Sequence, residues 1–439
     1  MITTATQIAD RPHCRAAFSK LCEVIPGGVG SPTRAFNSVD EEPIVVARGE
    51  ADELLDVDGN RFIDFHCSWG ALIHGHAHPS IVEAVQRRAA SGTSFGMSCE
   101  IEEQLARKIV EHVASVEQVR FVSSGTEATM SAARLARAVT GKDYIIKFAG
   151  NYHGHADFFL VQGGSAMVGM TPTSSSIGIP NEIVHYTLCL PYNDVEAVKA
   201  VFTDPHFKGN IAGVIIEPIA GNMGVIPASE EFLHTLRDLT QHNDALLIFD
   251  EVITGFRVAM GGAQELYDIQ PDLTCFGKVM AGGTPAAAFG GRKEWMSQLA
   301  PEGSVYQAGT LSGNPLCMEA GFQTLQLLEE SGIFEELDRK ARVITEPVAQ
   351  RLRNKQAPAC VHQVGAMFTI FWGRSSLCDF EEAQSLNASL FRRFYSHLFQ
   401  HGVFFPPSQF EASFLMTCHT EEHLEYTRDV ILEFIDKTF

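Results

Sequence analysis

The sequence places a single lysine, Lys278, inside an otherwise apolar turn. It lies in the stretch TCFGKVMAGGTP, residues 274–285, with phenylalanine, glycine, valine and methionine as its near neighbours. A lysine in this setting can run its methylene chain along apolar surface and keep its ammonium group in water. It can equally be held in an apolar pocket, where burial lowers its pKa and makes the amine a nucleophile. The stretch alone leaves both interpretations open.

Three other short stretches carry residue types that bind a charged, planar ligand. The apolar run ALLIFDEV ends in Asp250, at the carboxyl end of a strand, where ligands bind in open α/β sheets. The segment SSGTEA places hydroxyls and a glycine, residues 124–126, ahead of a helix, as in an anion site. Tyr152 follows the apolar run YIIKF and can stack on a ring. Each has a simpler explanation: a strand-end acid, a helix-capping serine and a core tyrosine.

Taken together, these four features match the needs of one cofactor, pyridoxal phosphate. Its phosphate needs an anion site, its ring needs a stacking partner, its pyridine nitrogen needs an acid, and its aldehyde needs a lysine. The chain has no G-x-G-x-x-G motif and no Walker lysine at this position, so nucleotide-binding loops fit poorly. We therefore expect Lys278, Asp250, Tyr152 and residues 124–126 to surround one pyridoxal phosphate.

The elements that must bring these residues together alternate along the middle of the chain. Over residues 76–325, strand patterns such as IAGVIIEP alternate with helix patterns such as EATMSAARLARAV, which predicts a mostly parallel sheet covered by helices. This part is expected to be a large cofactor-binding domain. Residues 1–75 are turn-rich and include a hairpin at Asp58-Gly59. Residues 326–439 mix the helical pattern AQSLNASLFRRFYSHLFQ with short strands, as in a smaller α+β domain.

Composition excludes several classes of partner. The formal net charge is −20 and no run of five basic residues occurs, which argues against nucleic acid and anionic membranes. The ten cysteines include no C-x-x-C pair, as is usual in a reducing compartment. The first residues lack the basic and apolar regions of a signal peptide, and no run of eighteen apolar residues occurs. We expect a cytoplasmic protein.

Two further stretches need an explanation. Residues 161–180, VQGGSAMVGMTPTSSSIGIP, have no periodicity, and their length inside a compact domain predicts a mobile lid beside the cofactor. The stretch HGHAHP, with histidines at 74, 76 and 78, has the residue types of a metal site. Pro79 suits the first turn of a following helix, so the stretch is better explained as a bend. We predict no metal site.

The quoted motifs, with DVDGNRFIDF, SWGALIHGHAHP, FDEVITGFRVAMGGAQ and VYQAGTLSGNP, resemble those of the class III aminotransferases of pyridoxal-phosphate fold type I. The resemblance runs from residue 25 to residue 414. It implies that Lys278 is the Schiff-base lysine, that Asp250 pairs with the pyridine nitrogen, and that Tyr152 and Val252 hold the two ring faces. The implied cofactor-binding set is completed by Ser124, Gly125, Thr126, His153 and Thr310. Thr310 would come from the neighbouring subunit, which implies a homodimer with shared active sites.

Within this family, the chain is most similar to the aminomutases. Ordinary ω-aminotransferases commonly have an acid where this chain has Asn222. The resemblance implies a substrate pocket in which Arg34 binds a single carboxylate, a contact that can be bidentate. The remaining implied substrate-binding residues are Ser31, Trp69, Ser165, Asn222 and Glu411. The chain differs from the usual aminomutase motifs at Ser123, Ala149 and Asn151, and in the stretch AGGTPAAAFGG, residues 281–291.

The reaction implied by the resemblance moves an amino group within one molecule. Pyridoxamine phosphate would give its amine to glutamate-1-semialdehyde, and the diamine 4,5-diaminovalerate would return the other amine to release 5-aminolevulinate, a tetrapyrrole precursor. Lys278 would carry the protons. A transient contact with the upstream glutamyl-tRNA reductase is a further implied partner. The alternatives are an ordinary ω-aminotransferase and, less in keeping with the intact cofactor positions, a non-catalytic module of the same fold.

Overall fold

The computed structural model describes residues 8–162 and 173–439 of the chain. Its helices are α1 (Pro12–Val24), α2 (Pro79–Ala89), α3 (Glu100–His112), α4 (Gly125–Thr140), α5 (Asn181–Val184), α6 (Val195–Thr203), α7 (Glu230–His242), α8 (Ala263–Tyr267), α9 (Lys293–Met296), α10 (Pro315–Leu328), α11 (Ile333–Asn354), α12 (Phe380–Gln384), α13 (Ala388–Gln400) and α14 (Glu421–Thr438). Its strands are β1 (Val46–Glu50), β2 (Glu53–Asp56), β3 (Arg61–Asp64), β4 (Gln118–Val122), β5 (Tyr144–Phe148), β6 (Val161–Gln162), β7 (Thr173–Ser174), β8 (Thr187–Leu190), β9 (Ile211–Ile216), β10 (Ile219–Ala220), β11 (Ile226–Pro227), β12 (Leu246–Glu251), β13 (Leu273–Phe276), β14 (Ala287–Gly291), β15 (Ala359–Val364), β16 (Met367–Trp372), β17 (Val403–Phe404) and β18 (Ser413–Phe414).

A mixed sheet in the order β4-β14-β13-β12-β9-β5-β8 forms the centre of the fold. Neighbouring strands are parallel except in the two pairs that include β14. Strands β9 and β12 are buried along their whole length, which agrees with the continuous apolar runs that predict them. The predicted α/β class, a mostly parallel sheet flanked by helices, is therefore confirmed.

The carboxyl ends of the parallel strands meet at one edge of this sheet, as in other α/β folds. Helix α4 leaves that edge directly after β4 and packs across β9, β13 and β14. Its apolar face is mostly alanine, and Ala128, Ala132 and Ala136 are completely buried. These small side chains allow the helix to lie close to the strands, so its first turn is held at the edge where β9 and β12 end.

The two terminal segments share a second sheet, in the order β1-β2-β3-β17. Strands β2 and β3 form the predicted antiparallel hairpin, and Gly59 adopts a φ of 89° in its turn. Strand β17 then pairs in parallel with β3, matching Val403 to Ile63 and Phe404 to Asp64. Residues from opposite ends of the chain therefore build one side of the molecule together.

A left-handed helical turn, Cys67–Gly70, follows the hairpin. The φ angles of Cys67, Ser68 and Trp69 are 50°, 54° and 58°, a region that residues other than glycine rarely occupy. Nothing in the sequence predicts this turn except Gly70, which continues it at a φ of 78°. Strain of this kind persists only where surrounding contacts fix the backbone, and it is most common at functional sites.

The structure divides the helical pattern AQSLNASLFRRFYSHLFQ into two helices. Helix α12 ends at Gln384 and α13 begins at Ala388. The side-chain oxygen of Asn387 accepts the N–H of Leu390 at 3.0 Å, so the asparagine caps the second helix. Because asparagine is among the preferred N-cap residues, the LNAS stretch marks a helix start inside an otherwise continuous apolar pattern.

The histidine-rich bend and the lid segment were both singled out by the sequence. Pro79 begins helix α2, as predicted. The ring of His74 contacts the carbonyl of Thr324 at 3.1 Å, whereas His76 contacts Asp64 at 2.7 Å, so these two histidines have separate partners. Strands β6 and β7, near the ends of the 161–180 segment, pair antiparallel. Its middle, including Ser165, lies outside the described residues.

Among the described residues, no helix combines the length and apolar character needed to cross a lipid bilayer.

Candidate active site

A cleft of about 610 Å³ opens at the carboxyl edge of the central sheet. It brings together most of the residues that the sequence singles out, although they lie between residues 31 and 411. The cleft is lined by Ser31, Pro32, Thr33, Arg34, Trp69, Gly125, Thr126, Thr129, Tyr152, His153, Gly154, Glu217, Asn222, Asp250, Val252, Ile253, Gly277, Lys278 and Glu411. Of the predicted residues that the structure describes, Ser124 and Thr310 are not among those that line it.

Lys278 lies immediately after β13, at the start of a single 3₁₀ turn. Its φ of 48° is left-handed, so the backbone at the lysine is itself strained. Burial lowers the pKa of the Lys278 amine, although Glu411, Glu217 and Asp250 act in the opposite direction. Of the two interpretations that the sequence left open, the structure therefore favours the buried amine. The amine is desolvated, and its neutral, nucleophilic form is favoured relative to that of an exposed lysine.

Asp250, at the end of β12, is paired with a histidine in the sheet interior. Oδ2 of Asp250 lies 2.7 Å from Nδ1 of His153, and Oδ1 accepts the N–H of Val252 at 3.1 Å. Burial lowers the pKa of His153, against the hydrogen bond to Asp250, which raises it. His153 is thus favoured as a neutral donor, and the carboxylate faces the cleft as an acceptor for a cationic N–H group.

The N-terminus of helix α4 forms another wall of the cleft. The hydroxyl of Ser124 accepts the N–H of Glu127 at 3.2 Å, and the Glu127 carboxylate accepts the N–H of Ser123 at 2.6 Å. The hydroxyl of Ser124 therefore serves as the cap of helix α4. Gly125 and Thr126 line the cleft in the first turn, where backbone N–H groups lack helical acceptors and attract anions such as phosphate.

Gly154 brings a second segment close against this helix start. A Cβ atom at Gly154 would lie 2.3 Å from Oγ1 of Thr126, and the glycine adopts a φ of 80°. Oγ1 of Thr126 also lies 3.1 Å from Nδ1 of His155. The close approach explains the glycine in YHGHAD: any side chain would push this segment, with Tyr152 and His153, away from the helix.

Tyr152 and Val252 line the cleft on different segments. The Tyr152 side chain is half exposed, at 51%, which excludes the interpretation as a core tyrosine. Val252 follows β12 directly, and its methyl groups lie 3.2 Å from the position that a Cβ would take on Gly125. An open aromatic face and a branched aliphatic side chain in one cleft are suited to holding a planar ring.

Glu217 is a cleft residue that the sequence motifs did not single out, although it directly follows the apolar run IAGVII. Its carboxylate accepts the backbone N–H of Tyr152 at 2.7 Å and that of Gly221 at 3.0 Å. The Asn222 amide donates to both carboxylate oxygens, at 3.1 and 3.0 Å. Burial and the negative charge of Asp250 raise the pKa of Glu217 to about 7, against these hydrogen bonds. The strand-end rule that identified Asp250 applies equally to Glu217 after β9.

The opposite side of the cleft carries one cation and one acid. Arg34 lies in a 3₁₀ turn, Pro32–Ala35, and in the part of the chain that is described it forms no ion pair. Glu411 is largely buried, and burial raises its pKa to about 7 although Lys278 lowers it. Trp69 completes this side from the left-handed turn. The arrangement can bind a small molecule with one carboxylate between Arg34 and the cofactor wall.

The residues present fit pyridoxal phosphate. The helix N-terminus can receive a phosphate, the carboxylate that His153 supports can receive a pyridinium N–H, and the buried amine of Lys278 can react with an aldehyde. Nε2 of His153 is also buried and has no hydrogen-bond partner among the described residues, so the inner end of the cleft retains unused polar capacity. Such a site, on this sheet, defines a pyridoxal-phosphate enzyme of fold type I.

Comparisons with known proteins agree. The model of the family "Aminotransferase class-III" matches residues 36–420. A glutamate-1-semialdehyde 2,1-aminomutase from Protochlamydia amoebophila is 53% identical over 429 residues, covering 98% of this chain and 99% of its own. The chain belongs to the class III aminotransferases and, within them, to the glutamate-1-semialdehyde 2,1-aminomutase family.

Two solved structures add to this. The omega-transaminase from Sphaerobacter thermophilus aligns with a TM-score of 0.89 and 34% identity, over 96% of this chain and 97% of that one. A glutamate-1-semialdehyde-aminomutase from Pseudomonas aeruginosa PAO1, solved in complex with PMP, aligns with a TM-score of 0.88 and 22% identity, over 98% and 95%. The second match shows a shared fold. The identity of 53% to an aminomutase, against 34% to the transaminase, favours the aminomutase interpretation over the ω-aminotransferase alternative.

Proposed function

We propose that the protein is an isomerase that converts glutamate-1-semialdehyde into 5-aminolevulinate by intramolecular amino transfer through 4,5-diaminovalerate. The observation that carries the proposal is the presence, in one cleft, of the cofactor wall and of a substrate-side cation, Arg34, that forms no ion pair among the described residues. Asn222, which donates to Glu217, stands where ordinary ω-aminotransferases commonly have an acid that pairs with such a cation. A substrate with one carboxylate therefore has one permanent anchor.

The cofactor is pyridoxal phosphate, alternating with pyridoxamine phosphate. When bound, it stores the amino group and stabilises negative charge on the substrate carbon during proton transfer. Asp250, supported by His153, would keep the pyridine nitrogen protonated. Gly125 and Thr126 would hold the phosphate through their backbone N–H groups, and Tyr152 and Val252 would bracket the ring.

Lys278 would act as the acid and base of the reaction. Because burial lowers the pKa of its amine, the side chain can accept a proton at one carbon and return it at the other. Glu411 and Glu217 oppose this shift, and the pKa of each of these two acids is itself raised to about 7.

On the substrate side, Arg34 would bind the carboxylate of glutamate-1-semialdehyde. Ser31, one residue before its turn, can donate a further hydrogen bond to the same group. Trp69, Asn222 and Glu411 would define the remaining space between the carboxylate and the cofactor. Ser165 is proposed for the same pocket on the resemblance of its segment alone.

We also propose a homodimer whose subunits share active sites. Thr310 is exposed and outside the cleft of its own chain, in a segment whose Tyr306 and Leu311 are exposed as well. Phe95 and Met97 are also exposed, and the side chain of Asn314 contacts the carbonyl of Thr93 at 2.9 Å, which ties the two segments together. Apolar surface of this kind is typical of an interface. In such a dimer Thr310 of one subunit would complete the phosphate site of the other, as the resemblance implies.

The remaining proposals concern organisation and cellular context. We propose that residues 1–75 and 326–439 act as one smaller unit against the large unit 76–325, because β3 and β17 share a sheet. All ten cysteines are free thiols, which supports a cytoplasmic location. Transient contact with glutamyl-tRNA reductase, the supplier of a reactive aldehyde, is proposed from the resemblance, and no metal, nucleic acid or membrane partner is proposed.

The test is incubation of the purified protein with glutamate-1-semialdehyde and no added amino donor. Formation of 5-aminolevulinate at a steady rate is expected, because the amino group is returned within each cycle. An ordinary ω-aminotransferase would stop after one turnover per bound pyridoxamine phosphate and resume only with a second amino compound. Lys278→Ala, assayed in parallel, should bind the cofactor and produce none.

A further inference from the structure

Arg257 is a completely buried cation that does not line the cleft. Its exposed fraction is 0%, and it lies in the loop between β12 and α8, seven residues after Asp250. Among the described residues no carboxylate pairs with it. Removal of a charge from water without a counter-charge is costly, so a buried, unpaired guanidinium needs an explanation.

Two of the three guanidinium nitrogens donate to backbone carbonyls from two distant segments, whereas Nε has no hydrogen-bond partner among the described residues. Nη2 donates to the carbonyls of Gly70 at 2.9 Å and Leu72 at 2.7 Å, and Nη1 donates to the carbonyl of Leu415 at 2.9 Å. The guanidinium carbon also lies 5.2 Å from the centre of the Phe414 ring. A planar fork with several fixed donors can hold two segments at a set separation, which an ammonium group cannot do.

The two segments are those that present Trp69 and Glu411 to the cleft. Gly70 ends the left-handed turn that carries Trp69, and Leu415 lies four residues beyond Glu411. The same segments also meet directly, since Sγ of Cys67 lies 3.3 Å from the carbonyl of Phe414. A Cβ at Gly70 would lie 2.7 Å from the Phe414 ring, so the two segments are closely packed at this point.

We propose that Arg257 is a positioning residue that sets the distance between the Trp69 turn and the Glu411 segment, and through them the affinity for the substrate. The left-handed φ angles from Cys67 to Trp69 need an external constraint, and the carbonyl of Gly70, at the end of this turn, is bound by Arg257. Because Arg257 follows the strand that ends in Asp250, it also links this substrate wall to the cofactor wall. The inference rests on the proposed function only where it refers to substrate affinity.

The test compares Arg257→Met, Arg257→Lys and a control, Arg237→Met, as holoenzymes. Arg237 is also partly buried, but it pairs with Asp272 at 2.8 Å, away from the cleft. Arg257→Met should raise the KM for glutamate-1-semialdehyde, with a loss in kcat/KM of roughly tenfold to a hundredfold. The absorbance of the bound cofactor should not change. The KM of Arg257→Lys should lie between those of the parent and Arg257→Met. Arg237→Met should lower the melting temperature and leave KM unchanged.

A second measurement follows the turn itself, independently of any substrate. The chain has three tryptophans, so fluorine NMR of protein labelled with 5-fluorotryptophan should give three signals, and Trp69→Phe identifies that of Trp69. Both Arg257 variants should shift or broaden the Trp69 signal and leave those of Trp295 and Trp372 in place. Unchanged KM together with an unchanged Trp69 signal in Arg257→Lys would overturn the proposal, even if Arg257→Met fails to fold. If the parent does not convert the semialdehyde, the proposed function fails, and the Trp69 signal still decides the role of Arg257.

Discussion

Asp250 and His153 form a hydrogen-bonded pair of 2.7 Å in which both side chains are almost completely shielded from solvent. Since the carboxylate can only accept, the histidine donates from Nδ1 and orients the acid towards the cleft. The pair lies at the carboxyl edge of the sheet, because His153 follows β5 and Asp250 is the last residue but one of β12. His153 therefore orients Asp250 and contributes no group to the substrate side of the cleft.

This pair predicts different results for two substitutions of His153. His153→Ala removes one of the hydrogen bonds to a buried carboxylate, which costs about 1–3 kcal/mol. The affinity for pyridoxal phosphate should fall by about tenfold or more. His153→Asn, whose amide can occupy nearly the position of Nδ1, should retain most of the affinity. Absorbance titration of the apoprotein with the cofactor measures both, and equal losses would show that the hydrogen bond to Asp250 is not the function of His153.

Glu217 predicts a pH-dependent contribution to folding stability. Its pKa is raised from 4.5 to about 7 in the folded protein. The folded state therefore binds this proton more tightly, so the stabilisation is complete below about pH 4.5 and is lost as pH rises through 7. In Glu217→Gln this contribution is absent. The unfolding free energy of the parent, relative to that of the variant, should decrease from pH 5 to pH 8 in denaturant titrations. A difference independent of pH would contradict the raised pKa.

Arg34 predicts a loss of substrate affinity without a matching loss of fold. Arg34→Ala removes a charge-assisted contact worth about 1.5–3 kcal/mol, or roughly tenfold to over a hundredfold in KM. Arg34→Lys keeps the charge without the planar fork and should recover part of the affinity. If Arg34 only tethers the N-terminal segment, both variants should melt earlier with KM little changed. A substrate analogue without the carboxylate is the matched control, since parent and Arg34→Ala should bind it equally.

The proposed shared site predicts complementation between two defective variants. Thr310→Ala should bind the cofactor weakly through loss of the contact from the partner subunit, and Lys278→Ala should be inactive. When the two are unfolded, mixed and refolded together, half of the dimers are hybrids, and each hybrid has one intact site. Activity should recover to about a quarter of the parental value per subunit under limiting cofactor. No recovery would place Thr310 outside the partner's site.

The sequence predicted the cofactor side of the cleft better than the substrate side. Lys278, Asp250 and Tyr152 each follow an apolar strand, and the carboxyl ends of parallel strands meet at one edge, so local patterns were sufficient. Glu217 follows the same rule, but an acid after a strand acquires meaning only when the neighbouring strands that end beside it are known. By contrast, the backbone contacts of Arg257 depend on long-range pairing that no local pattern contains.

The backbone conformation and the side-chain role of single residues were also difficult to predict from the sequence. The left-handed turn at Trp69 is fixed by packing against Phe414, almost 350 residues later in the sequence, and composition gives no sign of it. Ser124 shows the reverse case, in which the residue was identified correctly as part of the helix start, while its hydroxyl serves as the cap. Propensity located the helix start but not the turn, and tertiary contacts decided what the side chains of both elements do.

The pairing of β3 with β17 has a consequence for the order in which the protein is made. Strands β4 to β14 lie in the first 291 residues, so the cofactor wall can form while the ribosome is still translating the remainder. The Trp69 turn, in contrast, lacks its partners until residues 403–415 have emerged. The wall that selects the substrate is therefore completed last, after the strands that carry the cofactor wall have been made.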